Sequence, residues 1–353
     1  IEVPALRNIP SPFRSTESTG YVSYLAANRL LATRTRNGIL RAIDAYRAAI
    51  ALDSTFAPAF AGLSSAYALS ITYRYRVDRD AFAAAGLSLK AADSAVALDP
   101  DLAEAYAARG YVSSLALAPA SLVHADFARA MELQPNAPNV PAWYANLLVR
   151  EGFYEQALAQ ARRAVELDPL SPARRTGVAY EALRARRHEL ADSQAQAAVS
   201  LAGDVILPLA IRAQALLLSG RASECLDLDL GPHAGIRALC LHIVGRQDEA
   251  EAIVDSLRSE VSSGEYPNSE FTAVIPAGDL AAYFAYTGQP DRALPWIDRA
   301  FTLSPSGIDP RVLESGLFDH LLQTPGHRRV VEQIRNGIWD RVLREEAEAR
   351  LDL

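Results

Sequence analysis

Six polar and aromatic side chains occupy equivalent positions in a repeating helical pattern and are the best candidates for contacting a ligand. They are Tyr111, Asn146, Arg150, Tyr180, Arg184 and Gln214. Phenols and amides hydrogen-bond an extended backbone, and a guanidinium holds an acidic group through parallel N–H bonds. The set therefore predicts a groove suited to an extended peptide or an acidic group, provided that the fold brings these residues to one face.

Arginine is concentrated around this set. It occurs at Arg150, Arg162, Arg163, Arg174, Arg175, Arg184, Arg186 and Arg187. Acidic residues lie among them at Glu151, Glu155, Glu166, Asp168, Glu181 and Glu189. Interspersed charges of both signs favour a solvated surface whose arginines and carboxylates pair with each other, and an anion site is the alternative.

Sequence patterns for catalysis and metal binding are missing. The chain has no phosphate-binding glycine loop, no Cys-x-x-Cys, no His-Glu-x-x-His and no Gly-x-Ser-x-Gly. The histidines are scattered along the chain at His124, His188, His233, His242, His320 and His327. We therefore expect no enzymatic activity, no metal and no cofactor.

Composition narrows the choice of partners. The chain has 353 residues and a net charge of −7, which argues against nucleic acid as a partner because nucleic-acid-binding proteins present a basic face.

The most apolar segment, 205–218, is interrupted by Arg212 and is typical of a core helix, so no transmembrane segment is expected. Cys225 and Cys240 are interpreted as two buried free cysteines, with a disulfide as the alternative. Because the chain begins at Ile1, we expect a processed chain or a fragment.

The element that must position the candidate residues is a pair of helices over 142–172. Large residues such as Trp143 and Leu147 recur at helical spacing, and Gly152 ends the first helix. Alanines at 157, 161 and 164 line one face of the second helix, where small side chains allow close packing, and Pro169 ends the unit. These features predict an amphipathic helix–turn–helix.

This unit repeats. Related endings at Pro135, Pro169 and Gly203 are each 34 residues apart, and the glycine turns at Gly152 and Gly220 are separated by two such periods. The pattern resembles the tetratricopeptide repeat (TPR), whose period is about 34 residues. The resemblance implies an all-α, right-handed solenoid of about eight TPR-type repeats with a C-terminal capping helix. In such a solenoid the first helices line a concave binding face.

The chain divides into three predicted regions. Residues 1–20 are Pro-rich and predict an extended arm or linker; 21–305 carry the repeats; 306–353 form a closing segment and capping helix, expected as one helix over 328–351. The second repeat carries an insert near 70–80, and the second helix of the sixth repeat is short. The insert is interpreted as a surface excursion, with a lip over the groove as the alternative.

The order of these pieces carries a finer resemblance. An opening pair over 21–69, the insert, the unit over 143–172 and a late Phe318–Pro325 closing segment are similar to the C-terminal TPR region of certain bacterial signalling proteins. These are serine/threonine kinases, adenylyl cyclases and winged-helix regulators with a TolB-like segment. The resemblance implies a non-enzymatic scaffold that docks a protein, peptide or small ligand. The alternative is a structural protein that self-assembles head to tail into a homo-oligomer through its arm and last helix.

Overall fold

A computed structural model describes residues 19–77, 80–202, 206–231, 233–263, 274–304, 316–349 and 351. The helices are α1 (Thr19–Ala32), α2 (Arg36–Leu52), α3 (Ala57–Thr72), α4 (Ala81–Leu98), α5 (Ala103–Leu115), α6 (Ala120–Leu133), α7 (Asn139–Arg150), α8 (Tyr154–Leu167), α9 (Pro172–Arg184), α10 (His188–Ala202), α11 (Ile206–Leu218), α12 (Ala222–Cys225), α13 (Ala234–Ile243), α14 (Gln247–Ser263), α15 (Val274–Tyr286), α16 (Pro290–Leu303), α17 (Asp319–Leu322), α18 (Pro325–Arg335) and α19 (Ile338–Glu348). The predicted arm at 1–20 falls almost entirely outside the described residues.

Helices α1 to α16 form eight consecutive pairs that stack on one another. Within each pair the two helices pack together, and each second helix also packs against the first helix of the next pair. Consecutive first helices, from α1 and α3 to α13 and α15, contact each other as well. This pattern of neighbour contacts is that of a solenoid. It confirms the predicted all-α fold built from paired helices.

The turn inside every pair contains one residue with left-handed backbone. These residues are Arg34, Arg74, Leu117, Gly152, Arg186, Gly220, Gly245 and Gly288, with φ between 56° and 84°. At Gly152 the turn is closed by bonds from the Gly152 and Phe153 amides to the carbonyls of Val149 and Leu148, both 2.8 Å long. A left-handed residue in this position satisfies carbonyls that the helix end leaves unpaired.

The predicted small positions lie in the core. Ala157, Ala161 and Ala164 of α8 are buried, as are the equivalent alanines of α10 at 191, 195 and 198. Each of these small side chains leaves room for a neighbouring helix to pack closely. The solenoid therefore buries small side chains on its second helices and larger ones, such as Trp143 and Leu147, on its first helices.

Two local expectations need correction. Cys225 and Cys240 are buried as expected but are joined by a disulfide between α12 and α13. The last helix is two helices, α18 and α19, separated at Gly337, which has a φ of 80°.

The C-terminal segment returns to the second repeat. Helix α17 contacts α15, α18 contacts α16, and α19 packs along α4. Asp319, the first residue of α17, accepts two hydrogen bonds of 2.8 and 2.9 Å from the guanidinium of Arg186, which lies in the turn after α9. Gly86 of α4 lies so close to α19 that a Cβ there would stand 2.6 Å from the backbone of Glu345 and Glu346. The segment therefore bridges the eighth repeat and the second, in addition to covering the end of the solenoid.

Helix α4 is the one described helix that is long and apolar enough to cross a membrane by length and composition, and 61% of it is buried inside the protein. The burial follows from its neighbours, since α4 contacts α3, α5 and α19. An apolar composition of this kind is also typical of a helix that is buried in the core of a protein.

Candidate ligand-binding face

The six predicted groove residues lie on four consecutive first helices, α5, α7, α9 and α11, which contact each other in order. Tyr111, Tyr180, Arg184 and Gln214 are buried, whereas Asn146 and Arg150 are half-buried and keep contact with solvent. The residues thus lie on neighbouring helices, and a shared binding face for all six stays a prediction. Asn146 and Arg150 provide the accessible polar groups of the set.

The accessible pair is held by α7. The Asn146 amide donates to the carbonyls of Ala142 and Trp143, both at 3.3 Å, and Arg150 donates to the Ser114 carbonyl at 3.3 Å. Arg150 has no ion pair among the described residues, and burial together with the like charge of Arg335 lowers its pKa to about 10. It therefore remains a cation with unused donors at neutral pH.

Aromatic rings stack between two of these helices. The rings of Tyr111 in α5 and Trp143 in α7 lie 4.7 Å apart and nearly parallel. The hydroxyl groups of Thr72 and Tyr111 are hydrogen-bonded. Offset-stacked aromatic pairs stabilise a contact by about 0.5–1.5 kcal/mol beyond area burial. Tyr111 is therefore a supporting residue in this structure, and Trp143 presents its other surface to a cavity.

The cavity opens among the first four repeats and has a volume of about 280 Å³. Its walls come from α1, α2, α3, α5 and α7 and include the polar residues Asn28, Arg34, Tyr46, Glu104 and Asn139. Apolar walls with a few convergent polar groups are typical of small-molecule sites. None of the six residues chosen from the sequence lines it.

Positive charge accumulates at one part of this cavity. Arg34 lies in the α1–α2 turn, and its Nη1 is buried without a hydrogen-bond partner. Arg174 of α9 is 8% exposed and donates to the Asn139 side chain. Burial, and then the neighbouring charge of Arg34, lowers the pKa of Arg174 to about 10. Two guanidinium groups therefore lie near each other, one of them on the cavity wall.

Negative charge is present as well. Glu104 is exposed and has neither a hydrogen bond nor an ion pair with any described residue, and partial loss of surrounding water raises the pKa of its carboxyl group. Burial also raises the pKa of the Tyr46 hydroxyl, which feels the charges of both Arg34 and Glu104 and donates to Asn28. The cavity thus brings together one unpaired acid and one unpaired cation.

Half of the eight arginines of the concentrated stretch, by contrast, form ion pairs. Arg163 binds Glu166 at 3.1 Å, Arg187 binds Glu155 at 3.0 Å, and Arg186 binds Asp319. Arg184 lies 3.5 Å from Glu181, and both are buried. These four have the self-paired arrangement favoured from the sequence, whereas Arg150, Arg162, Arg174 and Arg175 form no ion pair with a described residue.

The described residues contain no group of three His, Cys, Asp or Glu side chains arranged to hold a metal ion. Histidines instead connect neighbouring helices. His124 contacts the hydroxyl of Tyr144 at 3.0 Å and the carboxylate of Glu151 at 2.7 Å.

No protein-family model and no curated protein matches this sequence. Solved structures match in shape. The human IFIT1 dimer with m7Gppp-AAAA is 14% identical, with a TM-score of 0.51, over 83% of this chain and 74% of that one. A thermophilic TPR protein from Thermus thermophilus is 16% identical, with a TM-score of 0.45, over 56% and 99%. A tetratricopeptide repeat protein from Parabacteroides merdae is 11% identical, with a TM-score of 0.41, over 90% and 99%.

The fold is a TPR-like solenoid. At 14% identity the likeness to IFIT1 concerns the fold alone, and it gives no support to the kinase and cyclase resemblance.

Sequence reasoning missed the cavity residues for a clear reason. It selected positions along the first helices, whereas Arg34 lies in a turn and Asn139 opens α7. Glu104 does lie on a first helix, α5, but an isolated acidic residue gives no sequence signal. The spacing of Arg174 from Asn139, 35 residues, is close to one repeat and was the one usable hint.

Proposed function

We propose that this protein is a non-enzymatic TPR-like scaffold that binds an extended peptide, as a free peptide or as a segment of a protein, on its concave face. The observation that carries the proposal is the cavity among the first four repeats, whose wall carries the Glu104 carboxylate and the Arg34 Nη1 atom without hydrogen-bond partners among the described residues. TPR-like solenoids offer this face as a long continuous surface.

The accessible residues predicted from the sequence extend the same face beyond the cavity. Asn146 and Arg150 lie on α7, which also contributes Asn139 and Trp143 to the cavity wall. A peptide that leaves the cavity along α7 would meet an amide and then a cation. Tyr111, Tyr180, Arg184 and Gln214 belong to this proposal as the buried support of the wall.

The test starts from peptides selected against the purified protein from a random library. The Asn146→Ala, Arg150→Ala double variant should weaken binding of a selected peptide by about 1–3 kcal/mol, measured by calorimetry, because two hydrogen-bonding groups are lost. Arg162→Ala is the matched control, since Arg162 is exposed on the second helix α8. Equal loss in the control, or none in the double variant, would reject the assignment of the concave face.

The finer hypothesis of a docking region in a bacterial signalling protein rests on the sequence resemblance alone. The self-assembly alternative relied on an apolar stripe of the last helix. Val331, Ile338 and Val342 of that stripe are buried within the chain itself, so less of it is available for another molecule. We therefore favour ligand binding over assembly.

A further inference from the structure

We propose that the cavity among the first four repeats binds a small zwitterion, a free α-amino acid or a molecule of similar size with one anionic and one cationic group. This inference rests on the proposed binding role of the concave face and specifies the ligand class of its cavity. It follows from the pairing state and the placement of the charged side chains on the cavity wall, where Arg34 is half-buried and Glu104 is exposed.

The anionic group of the ligand would bind Arg34. Arg34 keeps a buried Nη1 atom without a partner, and burying an unsatisfied donor of a charged group costs more than burying a neutral one. Arg174, close behind, has its Nε atom buried and unpartnered as well. No carboxylate among the described residues forms an ion pair with either guanidinium. A carboxylate delivered by a ligand would satisfy Arg34 and offset the repulsion between the two arginines.

The cationic group of the ligand would bind Glu104. Glu104 lines the same cavity and forms no ion pair with Arg34, although the two have opposite charges. A direct ion pair between them would neutralise both, and the cavity would need no charged ligand. Because they stay apart, a ligand that carries both charges can occupy the space between them. An ammonium group would meet Glu104 while the carboxylate meets Arg34.

The volume and the uncharged walls of the cavity limit the size and the side chain of the ligand. A volume of about 280 Å³ is at the lower limit of ligand pockets, which suits a small molecule better than a folded segment. Tyr24, Leu31, Leu69 and Trp143 supply apolar and aromatic surface for a side chain. Asn28 and Asn139 add amide groups, and the Asn139 oxygen is already engaged by Arg174. An amphoteric molecule with a modest apolar side chain matches this lining.

The test is calorimetry of the full chain with a panel of free amino acids, together with their N-acetyl and carboxamide forms. We expect at least one free amino acid to bind, and blocking either charged group to weaken its binding at least tenfold. Failure of the whole panel to bind, or equal binding of the blocked forms, would overturn the proposal.

Two variants localise the site. Arg34→Asn removes the guanidinium and suits the left-handed backbone, which asparagine tolerates. Glu104→Gln removes the opposite charge. Each should weaken binding at least tenfold, whereas Arg41→Asn, at an exposed position of α2, should leave it unchanged. Wild-type binding by Arg34→Asn, with circular dichroism unchanged, would refute the assignment. If library peptides bind and amino acids do not, this inference fails while the proposed scaffold function stands.

Discussion

Side chains stand at four of the eight left-handed turn positions, where glycine would be free of steric cost. Arg34, Arg74, Leu117 and Arg186 occupy these positions. Left-handed backbone costs a residue with a Cβ atom roughly 1–2 kcal/mol. At Arg186 the side chain also binds Asp319, and at Arg34 it lines the cavity. Half of the turns therefore retain a side chain at a conformational cost, and two of those side chains have a visible role.

Glu104 makes stability depend on pH in a defined direction. Its pKa in the folded protein is raised because surrounding protein displaces water, so ionisation costs more in the folded state than in the unfolded chain. The cost is present at neutral pH and disappears as pH falls through the raised pKa to below the ordinary glutamate value, about 4.3. Glu104→Gln should therefore be slightly stabilising at pH 7 and neutral near pH 4. Solvent contact of this carboxylate limits the gain to under about 1 kcal/mol.

Urea unfolding at the two pH values checks this expectation. Glu332→Gln is a matched control because Glu332 is exposed on α18, does not line the cavity, and its side chain forms no hydrogen bond or ion pair with a described residue. A variant that is more stable only at low pH would reverse the sign and exclude loss of water as the cause.

At the scale of helices, the weakest repeat has a covalent connection. Helix α12 has four residues, too few for a stable pair with α11, and the disulfide from Cys225 to Cys240 joins it to α13. The sequence separation across the bridge is 15 residues. Loops of that length lose about 3 kcal/mol of unfolded-state entropy when closed, on the chain-entropy model. The bridge thus adds a covalent link where the second helix is short and offers little surface for packing.

Reduction should therefore lower the free energy of unfolding by about 3 kcal/mol. The measurement is urea unfolding with and without dithiothreitol. The Cys225→Ala, Cys240→Ala variant should resemble the reduced protein and no longer respond to the reductant. An unchanged wild-type transition after complete reduction would contradict the role given to the bridge. Disulfides persist in oxidising compartments, so we expect the native protein to fold in one.

The helices that the sequence predicts well are those with a strong local signal. The pair α7–α8 carries large residues at helical spacing, Gly152 at its turn and alanines at its contact face, and all three features are present in the structure. The turn at Leu117 has no glycine, and the break at Gly337 lies within a continuous apolar stripe. The turn at Leu117 was not predicted because the glycine that usually marks such a turn is missing. The break at Gly337 was not predicted because packing on α4 overrides the helical pattern.

For the whole molecule, the contacts that sequence reasoning could not anticipate are those between distant repeats. The repeat period predicts neighbours along the chain, but the return of α19 to α4 depends on the accumulated curvature of eight pairs. Gly86 is the local mark of that return, and a single glycine inside an alanine-rich helix is not informative by itself. The cavity has the same origin, because its charged residues come from the first turn and from α5.

Closure of the molecule by α19 can be tested through Arg341. Its guanidinium lies 3.5 Å from the centre of the Phe82 ring in α4 and donates to the Thr302 carbonyl at 3.1 Å in α16. It therefore connects the second and eighth repeats. Arg341→Ala removes a cation–π contact and a hydrogen bond, together about 1–2 kcal/mol, and should make α19 open about tenfold more often. Hydrogen exchange of the α19 amides measures this opening.

Arg344→Ala is the matched control, because Arg344 is exposed on the same helix and contacts no described residue in a hydrogen bond or ion pair. Gly86→Ala provides a second, independent route, since its Cβ would collide with the backbone of α19. Both Arg341→Ala and Gly86→Ala should speed exchange in α19 and leave α13 and α14 unchanged, because the disulfide-linked repeats lie outside this contact. Uniform acceleration across all helices would mean that the α4–α19 contact is part of the global stability of the solenoid rather than a separate closure.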